Sequence, residues 1–417
     1  MTSTPPPHVT PRSFLIRNPR HEITGVRMGG DAPPLLDVII GLTKGQTTFE
    51  LEYAKATTAA EMGVSMLTDV SFEGDPTLRR TILRELDVAC RTVPTYNLYA
   101  AIRAGQPARS ALLSILTEQA DEGVDYFTLH ASATRKQLLT RRHQERTIPI
   151  TSRGGAMMAE LMLAQELENP ILTYFDDILD LCAEAGIALS LAATFRVGSV
   201  HDVFSAAHME EIMMQSDLVT RAHQRGVNVS VELIGHTPLD RIAEHCEIGH
   251  HHFDGAPFGA LGPLPTDIAM GYDDVAGAVG AATAVMHGTP WLACLTAGEH
   301  TYIPTHADLV RAIKYLQIAV HIGMLGRTGD TSRDQAMSRA RSENDWSTMC
   351  EIAIHPKDAA DIVERHGYRA GQPCSMCRRS CPLVRFRGLE RRYHGADPGA
   401  IAEMSAQRST QSTWAVD

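Results

Sequence analysis

Short apolar, β-branched runs alternate with longer stretches of helical period between residues 36 and 296. The runs fall near 36–41, 64–70, 91–95, 124–130, 187–193, 227–232, 253–258 and 290–296. Between them, stretches such as Thr48–Met62, Thr77–Ala89, Arg109–Asp121, Pro170–Ala185, Ser205–Gln224 and Tyr272–His287 place apolar residues at helical spacing. Strand alternating with helix predicts an α/β protein. Eight strands with helical crossovers over roughly 260 residues match a parallel (β/α)8 barrel of the TIM-barrel class. A doubly wound sheet is the alternative, but no G-x-G-x-x-G follows the first run. The barrel is expected over residues 36–304.

Residues 1–12 read as disordered. Residues 1–35 together read as an arm laid across the barrel, polar and turn-rich at Asn18-Pro19-Arg20-His21 and Met28-Gly29-Gly30-Asp31. After the barrel, His306–Leu325, Ser332–Ile354 and Pro356–Gly367 read as helices. They predict a three-helix segment within 305–386 that carries a cysteine run. A polar tail follows over 387–417.

Polar and titratable residues recur just after the apolar runs. They include Thr43, Asp69, Tyr96, His130, Arg196, Glu232 with His236, and Glu299 with His300. A barrel brings all these strand ends to one face, where barrel enzymes place their chemistry. His250-His251-His252 is read as surface or loop, because three consecutive side chains of a strand cannot face one ion.

Near the C-terminus stands Cys374-Ser375-Met376-Cys377-Arg378-Arg379-Ser380-Cys381, a C-x2-C-x3-C run. Three thiolates leave one iron of a 4Fe–4S cluster without a protein ligand. The alternative is a zinc site completed by a distant Cys350 or His394. Composition narrows the setting. A net charge of −11 argues against a nucleic-acid surface. The first eight residues lack a signal-peptide pattern, and no apolar run is read as long enough to span a bilayer. The expectation is a cytoplasmic enzyme with no membrane partner, its eight cysteines reduced, buried or metal-bound.

Several segments resemble the phosphomethylpyrimidine synthase family, to which 5-hydroxybenzimidazole synthase is related. They are Gln119–His130 (QADEGVDYFTLH), Ser152–Gly155 (SRGG), Glu168-Asn169-Pro170, Leu261–Ala269 (LGPLPTDIA), Gly271-Tyr272-Asp273, Met337–Arg341 (MSRAR) and Cys374–Cys377. The resemblance implies a radical S-adenosyl-L-methionine lyase of thiamine pyrimidine biosynthesis. It would generate a 5′-deoxyadenosyl radical at a 4Fe–4S cluster and rearrange 5-aminoimidazole ribotide. The cluster ligands carry over to Cys374, Cys377 and Cys381. A second metal, zinc or Fe(II), carries over to His236 and His300. Substrate contacts carry over to Thr43, Thr68, Tyr96, His130, Ser152, Arg153, Gly154, Arg196 and Glu232, with Glu232 and His130 as the catalytic candidates. A homodimer placing one chain's cluster over the other's barrel is implied, as is an external reductant such as flavodoxin or ferredoxin.

The chain departs from the family pattern in its pocket. The Asp-Gly-Leu-Arg motif becomes Ala193-Thr194-Phe195-Arg196, and a Gly-Pro becomes Leu233-Ile234. A tyrosine becomes Gly259, a histidine becomes Asp274, and Thr43 and Thr68 replace an asparagine and a methionine. The cluster run is one residue shorter before its last cysteine. The metal-binding frame is kept while the lining changes, so a modified or different substrate is expected.

Overall fold

Eight strands pair in parallel around a closed barrel in the computed structural model, which describes residues 12–72, 75–140 and 142–393. Two short strands come first, β1 (Ser13–Ile16) and β2 (Val26–Gly29). The barrel strands are β3 (Leu35–Ile40), β4 (Met66–Asp69), β5 (Ala89–Thr92), β6 (Tyr126–Leu129), β7 (Ala188–Leu191), β8 (Val229–His236), β9 (Phe258–Leu264) and β10 (Trp291–Ala293). β10 closes the circle by pairing with β3, Trp291 opposite Leu35. The (β/α)8 fold expected from the alternating pattern is the observed one. Its strands are almost wholly buried because side chains pack the barrel on one face and helices cover the other.

Two strands are displaced from their sequence positions. The third was expected at 91–95 but ends at Thr92. Pro94 has no N–H for the ladder, and the chain turns into helix Thr95–Arg103. The seventh was expected at 253–258. There Asp254 and Gly255 have φ of +46° and +75°, a left-handed turn, and β9 starts only at Phe258. Gly262-Pro263-Leu264 is therefore the end of the strand. The β8–β9 register is irregular at this level, and a proline is tolerated where the ladder is interrupted. The triple histidine ends helix Ile242–His252, on the surface.

The expected arm is a structural plug. β1 and β2 form an antiparallel hairpin, Phe14 facing Met28. Phe14, Ile16 and Met28 pack against Leu35, Met66 and Trp291, which lie at or near the strand starts, so the hairpin seals the barrel's N-terminal end. The link between β1 and β2 is pinned by buried Asp125. It accepts from Asn18 N at 2.7 Å, from His21 Nδ1 at 2.7 Å and from Cys90 N at 2.8 Å.

The chain divides at Gly329/Asp330 into two compact units. Helix His306–Thr328, expected with the C-terminal segment, belongs to the first unit as the barrel's eighth helix. It crosses helix Asp273–Met286 closely: a Cβ at Gly323 would lie 2.6 Å from Ala282 O. By length and apolar composition it could also cross a membrane, which amends the sequence expectation.

In the second unit, Asn344 (φ +56°) splits the expected Ser332–Ile354 helix into Ser332–Glu343 and Trp346–Ile352. Pro356–His366 and Pro382–Tyr393 follow, flanking the cysteine run. Residues 1–11 and 394–417, which include His394 and most of the expected tail, lie outside the described residues.

Candidate active site

Below the rim, a buried cation organises the barrel interior. Arg91 on β5 is 2% exposed and donates to Asp37 Oδ2 of β3 at 2.7 Å and to Ser190 Oγ of β7 at 3.1 Å. The same Nη2 that meets Ser190 also donates to Glu232, Nε donates to Thr128, and the guanidinium lies 4.8 Å from the Trp291 ring. Burial works against the charge on Arg91, but Glu232 and Asp37 outweigh it and keep the group protonated. Burial raises the Asp37 pKa, with Arg91 and Thr68 opposing. Thr68 donates its hydroxyl to Asp37 at 2.7 Å. Glu232 and Thr68 therefore stand in one polar network through Arg91 and Asp37. Neither Arg91 nor Asp37 was singled out in the sequence. The available signal was a lone charge inside an apolar strand run. Gly259 belongs to this layer too: a Cβ there would fall inside the Trp291 indole, so no larger side chain fits.

At the C-terminal end of β6, His130 is held between two hydroxyls. Its Nδ1 lies 3.1 Å from Thr95 Oγ1 and its Nε2 2.7 Å from Ser152 Oγ. Burial drops its pKa to about 3, and the positive charges of Arg196 and Arg91 add to the effect, so the ring is neutral. Ser152 also caps helix Arg153–Ala164, accepting from Gly155 N at 3.2 Å. A Cβ at Gly154 would come 2.3 Å from His130 Cε1, and one at Gly155 would come 2.7 Å from Thr194 Cα. The Ser-Arg-Gly-Gly run is thus a cap, an exposed cation and two close approaches in sequence. Arg153 lies 5.6 Å from the ring centre of Tyr96, which burial keeps protonated.

The loop after β7 carries Arg196. It is tied from behind by Glu211 of helix Ala206–Gln224, which accepts from Thr194 N and Phe195 N at 2.6 Å and from Ser132 Oγ at 2.7 Å. Burial raises the Glu211 pKa to about 7 despite these donors. Among the described residues, Thr194 Oγ1 and Arg196 Nε are buried polar atoms without a partner. Thr43 lies half-buried in the loop after β3, at the same end of the barrel.

His236 at the end of β8 and His300 beyond β10 stand together, ring centres 5.1 Å apart at 67°. Each is engaged at Nδ1 by a carboxylate: His236 by Asp267 at 2.7 Å, His300 by Asp273 at 3.1 Å. Burial lowers the His236 pKa, against the pull of Asp267. With each Nδ1 engaged by a carboxylate, Nε2 is the nitrogen left on both rings for a ligand, a donor set that fits zinc or Fe(II). Among the described residues no group of three or more His, Cys, Asp or Glu is gathered for a metal, so substrate or water would complete this pair.

The cysteine run is a tight succession of turns in the second unit. Arg378 N donates to Cys374 O at 3.2 Å, Ser380 N to Cys377 O at 2.9 Å, and Cys381 N to Arg378 O at 3.1 Å. Cys381 is buried, Cys374 half-buried and Cys377 exposed. The donor set fits an iron–sulfur cluster in type and number, although the three thiols are not converged on one point. Arg378 has φ +46°, a left-handed conformation unusual for its type, in the run that is one residue short.

The radical SAM ThiC family model matches residues 10–387. Proteins named phosphomethylpyrimidine synthase are similar along nearly the whole length. The Methanopyrus kandleri protein is 34% identical, covering 87% of each chain. A Thermus thermophilus protein is 34% identical over 89% of this chain and 87% of its own. The Desulfotalea psychrophila protein is 32% identical over 89% and 88%. With a match of this extent laid over the barrel and its rim, the chain belongs to the radical SAM ThiC family.

Proposed function

We propose that the protein is a radical S-adenosyl-L-methionine lyase that rearranges or fragments 5-aminoimidazole ribotide or a related ribotide. The observation that carries this reading is the convergence at one barrel end. A neutral His130 beside the glycine-bearing start of a helix, and the paired His236 and His300, lie at C-terminal strand ends of one barrel. In this reading Ser152, Arg153 and Gly154 cradle the ribotide phosphate, since a helix N-terminus with a guanidinium suits an anion. Tyr96, Arg196 and Glu232 line the pocket, with Thr43 and Thr68 at its edge and floor. Glu232 and His130 are the groups proposed to face the reacting centre. Because His130 is neutral, it exchanges hydrogen bonds with substrate rather than serving as a cationic acid.

Cys374, Cys377 and Cys381 would hold the 4Fe–4S cluster, and His236 and His300 the zinc or Fe(II). A cluster with one iron free of protein ligands supplies one-electron cleavage of S-adenosyl-L-methionine. The electron would come from flavodoxin or ferredoxin. All eight cysteines are unpaired, which supports a reducing, cytoplasmic setting. A homodimer is proposed on the apolar outer face of the barrel. Val275, Val279 and Met286 on helix Asp273–Met286 are exposed, as are Ile318 and Ile322 on helix His306–Thr328.

The altered substrate is supported by the loop from Ala193 to Arg196. Its backbone is held by Glu211, and it presents no carboxylate where the resemblance expects one. The test is an anaerobic assay of cluster-reconstituted protein with 5-aminoimidazole ribotide. Cleavage of S-adenosyl-L-methionine with little hydroxymethylpyrimidine phosphate is expected. Robust formation of that product would make the protein an unaltered phosphomethylpyrimidine synthase. A colourless zinc-loaded protein that does not take up iron and sulfide would overturn the radical reading.

A further inference from the structure

Asp267 and Asp273 stand in the sequence as parts of longer motifs, with no role attached. In the structure each one fixes a rim histidine. Asp267 lies in the loop after β9, and its Oδ1 engages His236 Nδ1 at 2.7 Å. Its other oxygen accepts from Val200 N at 2.9 Å and Ser199 Oγ at 3.1 Å, so the loop after β7 holds the carboxylate in place. Asp273 opens helix Asp273–Met286, is 5% exposed, and meets His300 Nδ1 at 3.1 Å. Two carboxylates from different elements thus impose the same tautomer on two imidazoles. A carboxylate accepts from Nδ1–H, which leaves Nε2 of each ring as the nitrogen that faces a ligand.

The spacing agrees with a shared ion. Two imidazoles bound to one tetrahedral ion at ~2.0–2.1 Å from nitrogen have ring centres about 5 Å apart. The observed separation is 5.1 Å. An edge-to-face ring contact alone also reaches this distance, but it does not call for both Nδ1 atoms to be engaged by carboxylates.

We propose that Asp267 and Asp273 are positioning residues for a divalent cation held between His236 and His300. They orient each imidazole and raise its basicity as a ligand. This rests on the rim-metal reading given above.

Cobalt(II) titration of the full-length protein tests it, because cobalt on nitrogen and oxygen ligands absorbs differently from cobalt on the cysteine thiolates. The part of the signal lost in His236→Ala defines the rim site. Asp267→Ala and Asp273→Ala are each expected to weaken rim binding about 10–100-fold. Asp267→Asn and Asp273→Asn, which keep an oxygen to accept from Nδ1, recover part of the loss. Rim binding in both alanine variants as tight as in the unaltered protein overturns the proposal and leaves the rim-metal reading standing. Absence of any His236-dependent cobalt signal overturns that reading and the proposal with it. Should one alanine variant fail to fold, the other decides, and unchanged affinity there overturns the proposal.

Discussion

Arg91 shows how one residue sets the interior of the barrel. A buried guanidinium stays charged because Asp37 and Glu232 both face it. Removing one member of such a set leaves uncompensated charge. Arg91→Met is therefore expected to cost about 3–5 kcal/mol, read as a lower urea midpoint. His130 makes a pH prediction. Its pKa falls from 6.5 unfolded to about 3 folded, so the unfolded chain binds the proton more readily. Stability is complete above pH 6.5 and declines as pH falls toward 3, on the order of several kcal/mol in total. Urea midpoints measured across that window should fall, and His130→Asn should flatten the slope. Gly154 has its own prediction. Alanine there drives a methyl into the His130 ring at 2.3 Å, so Gly154→Ala is expected to cost about 1–3 kcal/mol. Ligand binding should suffer with it, and thermal unfolding with substrate titration checks both.

At the level of elements, the N-terminal hairpin turns a predicted arm into a plug. Its polar signature, Asn18 to His21, looked like surface because the partner, Asp125, lies over a hundred residues away. Asp125→Ala strands three donors, two of them backbone N–H groups. At about 1–3 kcal/mol for each buried group left unpaired, a loss of several kcal/mol is expected. Cobalt binding at His236 and His300, at the opposite barrel end, should be unchanged. Helix Ala206–Gln224 acts likewise on the loop that carries Arg196, through Glu211. In the cysteine run, glycine relieves the left-handed residue, so Arg378→Gly should retain full iron and sulfide loading per chain.

For the whole molecule, the outer apolar face bears on assembly. Ile322 is 53% exposed and Val279 49%, each on a helix whose other side packs on the barrel. Burying that face against a second copy predicts a dimer. The double substitution Val279→Glu with Ile322→Glu should give a monomer by sedimentation velocity while the far-ultraviolet circular dichroism is kept. A monomeric unaltered protein would remove the homodimer from the proposed function.

The alternation of β-branched runs with helical period determined the barrel, because strands covered on both faces have to be nearly continuous in apolar residues. The histidines, cysteines and glycines of the candidate site were legible because their types and spacing carry chemistry. Pairing across the fold was not. Asp125 with Asn18, Arg91 with Asp37 and Glu232, and Asp267 and Asp273 with the rim histidines join positions 27 to 141 residues apart. Along the chain, nothing marks which partner each of these carboxylates will meet. Only closure of the barrel decides which cation or imidazole it faces, because that is when the desolvated charge must find its partner.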